Sequence, residues 1–303
     1  MLSEMEAEQV HFVYTGGGRE VIPEDATHVA IHKSISVISA ELFRGHQSIV
    51  ELICHEGVIR IEEYACNCCY SLKRVIMLGV KNIEEYSFCD CVVLTHVECR
   101  KLELIGAYAF SYCRSLSSID LISATIVEDH AFNVCKALNH VTFGNNLKVI
   151  YEKAFGGCDS LQRITIPLKE NFISANGIFK HCKNLNDVDL VEGDQLDDTI
   201  DALLLDEWRK DITNEIHSIS QILPNTSAGV TFLGDAGRKA SEIREWIRRV
   251  LRKIIDYKTE HRQVVKEAAS MLAYTILPHD VLVNNVLPFV ELPSYSFGGD
   301  DDE

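Results

Sequence analysis

The sequence predicts an α+β chain: a solenoid of about seven strand-and-turn repeats, each of 22–24 residues, followed by an α-helical hairpin. Three observations predict this. Apolar and aromatic columns recur at a near-constant period through the first two-thirds of the chain. Each period carries an apolar–x–apolar pair, the mark of a short strand with both side chains on one face. Past residue 190 the period stops, and from about 199 apolar residues recur at helical three–four spacing.

The repeat columns are read directly. Phe43, Cys66, Phe88, Phe110, Phe132, Phe155 and Phe179 follow one another at 22–24 residues. Three residues after each comes His46, Cys69, Cys91, Cys113, Cys135, Cys158 or Cys182, and three further on Ile49, Leu72, Leu94, Leu116, Leu138, Leu161 or Leu185. Each strand pair follows its leucine, from Leu52 and Cys54 in the first repeat to Val188 and Leu190 in the last, with Thr27–Ile31 as the matching first strand. The stretch from the isoleucine five before the aromatic column to the leucine is expected to form one or two helical turns. No unit can bury its apolar stripe alone, so neighbours must complete one another's core.

The helical part has two stripes. Leu205, Trp208, Ile212, Ile216, Ile219 and Leu223 mark a first helix over about 199–223, ended by Pro224. Ile243, Ile247, Val250, Ile254, Tyr257, His261, Val264, Ala268 and Met271 alternate at four and three along a second, over about 238–277. A loop of about 14 residues between them predicts an antiparallel hairpin. At ~1.5 Å per residue the second helix outruns the first, so its last turns, from Val264 on, need another partner. Asp280–Pro293 folding back is one candidate and a second chain the other. The chain thus divides into an N-terminal strand and turn (1–26), the solenoid (27–190), an acidic linker (191–198), the hairpin with a short closing helix (199–293), and an acidic tail expected to be disordered (294–303).

Composition narrows the function classes. The 303-residue chain is 47% hydrophobic and 24% charged, enough for a sizeable core, and its net charge of −16 argues against nucleic acid or an anionic membrane as partner. No run of 18 apolar residues predicts a membrane span. Eleven cysteines without a signal-peptide pattern lead us to expect reduced thiols in a cytoplasmic, alternatively nuclear, protein rather than a secreted one. Six of the eleven occupy one repeat column, and Cys54, Cys66 and Cys99 take other inward positions, so they are read as small core residues and not as metal ligands. Only Cys68 and Cys89 fall outside those columns. The glycines of "YTGGGRE" (14–20) lack the Lys-Ser/Thr of a phosphate loop, and no catalytic motif is found. No enzyme activity, cofactor or metal is expected.

Ile105–Leu121, "IGAYAFSYCRSLSSIDL", and Ile150–Pro167, "IYEKAFGGCDSLQRITIP", resemble BspA-type leucine-rich repeats, and the resemblance covers a little over half of the chain. His46 and Ile49 weaken the first repeat, Cys66 stands where Phe is usual, and "NGIF" replaces the usual Ala-Phe in the last. The resemblance implies a curved, right-handed solenoid whose strand-lined face recognises a protein ligand without catalysis. The helical segments "DEWRKDITNEIHSISQILPNT" and "IREWIRRVLRKIIDYKTEHR" resemble the tail of leucine-rich-repeat proteins of unicellular algae, which adds architecture alone.

Two surfaces are candidates for binding. Outward strand positions include Arg74, Ile76, His96, Glu98, Arg100, Asp120, His140, Thr142, Arg163 and Thr165, preceded by Glu51 and Ile53. They form either a partner-binding lane or a plain solvated sheet. Arg244, Arg248 and Arg252 recur at i, i+4 on the second helix, either as its wet side or as a dock for an acidic partner. The expected function is a protein-interaction scaffold; the alternative is a structural protein that forms a homodimer through a coiled coil of its long helix.

Overall fold

A computed structural model describes residues 11–17, 21–191, 194–223 and 238–273. The expected closing helix and acidic tail lie outside the described residues. Described residues fall into two compact units: the repeats through Leu190 with Leu223 and the first turn of the last helix, and the remaining helical segments.

Among the described residues, six coils of the first unit contribute one longer and one shorter strand, and three further long strands have no short one. In chain order these are β1 (His11–Tyr14), β2 (His28–Ile31), β3 (Val37–Ile38), β4 (Glu51–Cys54) and β5 (Arg60–Ile61). Next come β6 (Arg74–Met77), β7 (Asn82–Ile83), β8 (His96–Glu98), β9 (Leu104–Ile105) and β10 (Ser118–Leu121). The series ends with β11 (Ile126–Val127), β12 (His140–Phe143), β13 (Val149–Ile150), β14 (Arg163–Ile166) and β15 (Asp187–Leu190). All pair in parallel. The short strands form one six-stranded ladder, whereas the long strands form two sheets, β1-β2-β4-β6-β8 and β10-β12-β14-β15. At the junction of those two sheets the Cys99 thiol donates to the Asp120 carbonyl, 3.4 Å away.

The stretch expected to be helical turns is not helical. It opens with the two-residue strand and continues as turns that place two residues per coil in the left-handed region. One such column is Glu41, Tyr64, Tyr86, Tyr108, His130 and Lys153, all with φ of 52–58°. The other is Gly45, Cys68, Asp90, Tyr112, Val134 and Gly157. A left-handed residue every fourth position breaks an α-helix, and it turns alternate N–H groups toward the next coil. Tyr64, Cys66 and Cys68 donate to the carbonyls of Glu85, Ser87 and Cys89, and Tyr108, Phe110 and Tyr112 to those of Asp129, Ala131 and Asn133. Every second buried turn amide is satisfied between coils in this way, and those between them bond within the coil to the carbonyl three residues back, as from Ala65 to Glu62 and from Asn67 to Tyr64. A side chain such as Val134 is costly at positive φ, so this register of hydrogen bonds must offset that cost.

Between the ladders lies a dry core. Phe88, Phe110, Phe132 and Phe155 are fully buried and stacked at 5.3 Å between successive ring centroids, within 5° of parallel. The cysteine column packs behind them. Each thiol donates to the carbonyl of the preceding coil's aromatic-column residue, as from Cys113 to Phe88 (3.2 Å) and Cys135 to Phe110 (3.1 Å). Room between coils is tight: a Cβ on Gly79 would run into the Glu56 carbonyl. At the end of the repeats, buried Lys239 donates through Nζ to the carbonyls of Leu185 (2.6 Å) and Lys183 (3.2 Å).

In the second unit, the first expected helix is broken into α1 (Asp194–Asp201), α2 (Asp206–His217) and α3 (Ile219–Ile222), and much of the expected linker is α1. Leu205, expected on the seam, is instead the exposed N-cap of α2. Helix α4 (Arg238–Ala273) is continuous. Contacts pair α2 and α4 in opposite directions: the Trp246 indole N–H donates to the Glu215 carbonyl (2.9 Å), and Trp208 stacks on Tyr257 at 5.3 Å. Ile243, Ile247, Val250, Ile254 and His261 are buried as the heptad pattern requires, with Trp246 and Leu251 added. A half-buried electrostatic clasp crosses the seam, in which Arg249 and Lys253 bind Glu215 while Lys253 and Tyr257 bind Asp211.

Two predictions follow from these packings. Phe110→Ala deletes a ring stacked on both sides, so urea titration should show a loss of about 3–5 kcal/mol. Lys253 and Tyr257 hydrogen bonds hold the Asp211 carboxyl below the ordinary carboxylate range despite partial burial. A depressed carboxyl contributes stability at neutral pH that is lost as pH falls through its folded-state pKa. Asp211→Asn should therefore lower stability at pH 7 and flatten its decline toward pH 3, measured by denaturant midpoints across pH.

Candidate interaction surface

The long strands present two outward columns. Their registers place His11, His28, Glu51, Arg74 and His96 in one, and Val13, Ala30, Ile53, Ile76 and Glu98 in the other. In the second sheet the same columns continue as Ser118, His140, Arg163 and Asp187, beside Asp120, Thr142, Thr165 and Asp189. All ten proposed lane residues are at least partly solvent-exposed, with Arg100 just past the end of β8.

Most charges on this face are matched within it. Arg74 lies 3.4 Å from Glu51 and 4.0 Å from Glu98, which also has Arg100 at 3.9 Å and His96 at 4.0 Å. Arg163 bridges Asp187 (3.7 Å) and Asp189 (3.5 Å). Such half-exposed pairs contribute little stability each, but they hold long side chains in fixed cross-strand positions. His140 and Thr142 are hydrogen-bonded at 2.8 Å. Asp120 is engaged locally, its Oδ1 accepting from the Ile122 amide.

What sequence reading missed is the extent of the aliphatic lane. Val13 and Ala30 extend Ile53 and Ile76 to four consecutive strands in register, and Val13 and Ile53 are 50% and 37% exposed. The signal was present in "HFVY" and "HVAI", whose alternation matches the later strands. Also missed was a second ring ladder in the left-handed turn column. Tyr64, Tyr86, Tyr108 and His130 stack at 4.6–4.9 Å within 9° of parallel, and the Arg44 guanidinium lies 5.2 Å from the Tyr64 ring centroid. The recurrent "IEEY" at 61–64 and 83–86 carried that signal.

On α4, Arg248 and Arg252 are exposed and Arg244 is half-buried. Arg248 lies 3.7 Å from Glu245 on its own helix. Burial pushes the Cys54 and Cys99 thiols up to about 12, and burial with the nearby Asp90 carboxylate does the same to Cys89. Cys89, expected outside the buried columns, is 6% exposed, and its carbonyl accepts from the Cys68 amide and the Asn67 side chain of the preceding coil. Among the described residues, no group of three or more His, Cys, Asp or Glu side chains is placed to hold a metal ion, and no helix is long and apolar enough to cross a membrane.

Parallel coils of about 23 residues, with a buried cysteine three residues after each aromatic, form a recognisable repeat. The family model for the BspA type leucine rich repeat region matches residues 24–125 and 103–198, in six copies. The chain belongs to the BspA-type leucine-rich repeat family. Leucine-rich-repeat solenoids are generally non-catalytic, and membership suggests a protein-interaction scaffold. Among solved structures, the chain is similar to a leucine-rich repeat protein of Bacteroides ovatus, at 26% identity and a TM-score of 0.44. That match covers 48% of this chain and 42% of the Bacteroides protein, so the chain spans less than half of that relative's length. It is also similar to the T. pallidum leucine-rich repeat protein, at 25% identity and a TM-score of 0.37, over 60% of this chain and 69% of that one. A leucine rich cell surface protein of Faecalibacterium prausnitzii matches at 17% identity and a TM-score of 0.27, over 56% and 61%. Among curated proteins, none matches.

Of the eleven thiols, only Cys68 is more than marginally exposed. A disulfide-exchange reagent should therefore label Cys68 alone in the native protein and every cysteine after denaturation. Cys68→Ser should abolish the native reaction.

Proposed function

We propose that this protein is a non-catalytic interaction scaffold that receives a protein partner on the outward face of its long strands. The observation that carries the reading is the in-register lane of Val13, Ala30, Ile53 and Ile76, bordered by the ion-paired ladder of Glu51, Arg74 and Glu98. An aliphatic strip held among fixed charges offers both elements of an interface: apolar area to desolvate, and polar groups that set register. Arg100, Asp120, His140, Thr142, Arg163 and Thr165 extend the surface along later coils. The recognition is by shape and charge, with no bond made or broken and no cofactor. Nucleic acid and membranes are not the partners, in keeping with the net charge of −16. A cytoplasmic or nuclear setting suits a chain with eleven free thiols.

A second reading, self-assembly through the long helix, is favoured by Ile255, Val264 and Met271, which are 49%, 46% and 71% exposed along α4. One comparison separates the two. The full chain, an Ile53→Asp/Ile76→Asp variant and an Arg248→Glu/Arg252→Glu variant are compared by quantitative affinity capture, with light scattering on each. The scaffold reading expects a monomer whose captured partner weakens at least ~10-fold in the strand variant, as loss of a buried aliphatic anchor does. A dimer, or a partner lost only in the helix variant, would overturn it. Both isoleucines point away from the core, but the two carboxylates would stand in register with Glu98 and lower the thermal midpoint, so capture is compared at a temperature well below that midpoint.

A further inference from the structure

Helix α4 outruns its partner. Helix α2 begins at Asp206, and its first-turn Trp208 already stacks on Tyr257, so the α2 contact ends near His261. The heptad seam nevertheless continues through Val264, Ala268 and Met271, all exposed. At the start of this overhang is a groove of about 570 Å³, with Trp208 and Val264 in its lining and Arg262 and Lys266 at its side. An apolar stripe of this regularity on a 36-residue helix is laid out for an occupant.

We propose that the occupant is the chain's own segment 279–290, folded back along α4 from Val264 to Met271. Four features of the sequence support it. First, reach: only Tyr274–Pro278 separate the segment from Ala273, and five residues suffice to reverse the chain. Second, Pro278 suits the first position of a helix, Asp280 suits its first turn, and Pro288 ends it. That gives roughly 10 residues, or ~15 Å, against the ~10 Å from Val264 to Met271. Third, Leu282, Val283, Val286 and Leu287 share one face at i, i+1, i+4 and i+5, with Asn284 and Asn285 off it. Fourth, Asp280 and Glu291 are the only Asp, Glu, Lys or Arg residues in 274–293; a segment running back along α4 leaves Asp280 at the turn and carries Glu291 toward Arg262, which lines the groove together with Glu260.

A second copy fits less well. Val264, Ala268 and Met271 alone supply far less than the ~800 Å² per partner that a stable dimer buries. The inference is independent of the strand-face reading and bears on its rival, because a covered overhang takes Val264 and Met271 out of any dimer interface.

The test is photocrosslinking in the full chain, with p-benzoylphenylalanine replacing Met271, a position 71% exposed and so tolerant of the change. Irradiation followed by peptide mass spectrometry should give intramolecular crosslinks to residues 279–290, at a yield independent of protein concentration. Leu282→Asp/Leu287→Asp should remove those crosslinks while far-ultraviolet circular dichroism still reports α4. Crosslinked dimers would overturn the proposal in favour of a second copy. Crosslinks elsewhere in the chain, or none to 279–290, would overturn it outright.

Discussion

Everything in the repeat unit depends on hydrogen bonding between coils. No coil satisfies its backbone alone: the long strands and the short strands pair with neighbouring coils, and the left-handed turns pass alternate N–H groups to the next coil while the others close within their own. The stacked phenylalanines and the thiol-to-carbonyl bonds follow the same axis and reinforce it. This constraint explains the residue choices that would look odd in isolation. Cysteine is small enough for the space behind the aromatic column and can still donate to a carbonyl there. Tyrosine, histidine and even valine accept a left-handed backbone because the alternative is an unsatisfied buried amide, which costs more than the strain.

The same constraint leaves one face free of structural duties. Inward columns are committed to the core and turn columns to the inter-coil ladder, so the outward strand positions are where side chains can vary without unfolding the coil. There the molecule places Ile53 and Ile76 beside Glu51 and Arg74. Lateral spacing of about 4.8 Å per strand brings each residue within ion-pair reach of its neighbours in the next coil. That is why Arg74 can serve two carboxylates and Arg163 another two.

Much of this was legible in the sequence, for a physical reason. A repeat whose members bury the same positions must write the same residue types at a fixed interval, so the aromatic, cysteine, leucine and strand columns were all readable. So was the heptad seam of α4 as far as His261. The turn conformation was not readable, because apolar spacing in a tight left-handed turn imitates helical spacing and Tyr64 or Cys68 gives no warning of positive φ. Glycine and asparagine would have. The buried column of Val58, Val80, Leu102, Ala124 and Leu147 escaped notice because its members differ in size. The split of the first helix into α1, α2 and α3 was hidden by apolar residues such as Leu205 that continue the stripe through an exposed cap.

The outward face is not uniform along the solenoid, and the asymmetry has consequences for recognition. Its aliphatic positions fall in β1, β2, β4 and β6, while later strands carry Glu98, Asp120, Thr142, Thr165 and Asp189 in the same column. The junction between the two long-strand sheets falls within the acidic stretch, between Glu98 and Asp120. On the proposed binding face, apolar area to desolvate is therefore concentrated in the first four coils, and a partner would meet mainly polar groups on the later ones. A partner that engages both must span the place where the long-strand ladder is interrupted. The short-strand ladder and the phenylalanine stack run unbroken beneath that place, so the two halves of the surface stay in fixed relation.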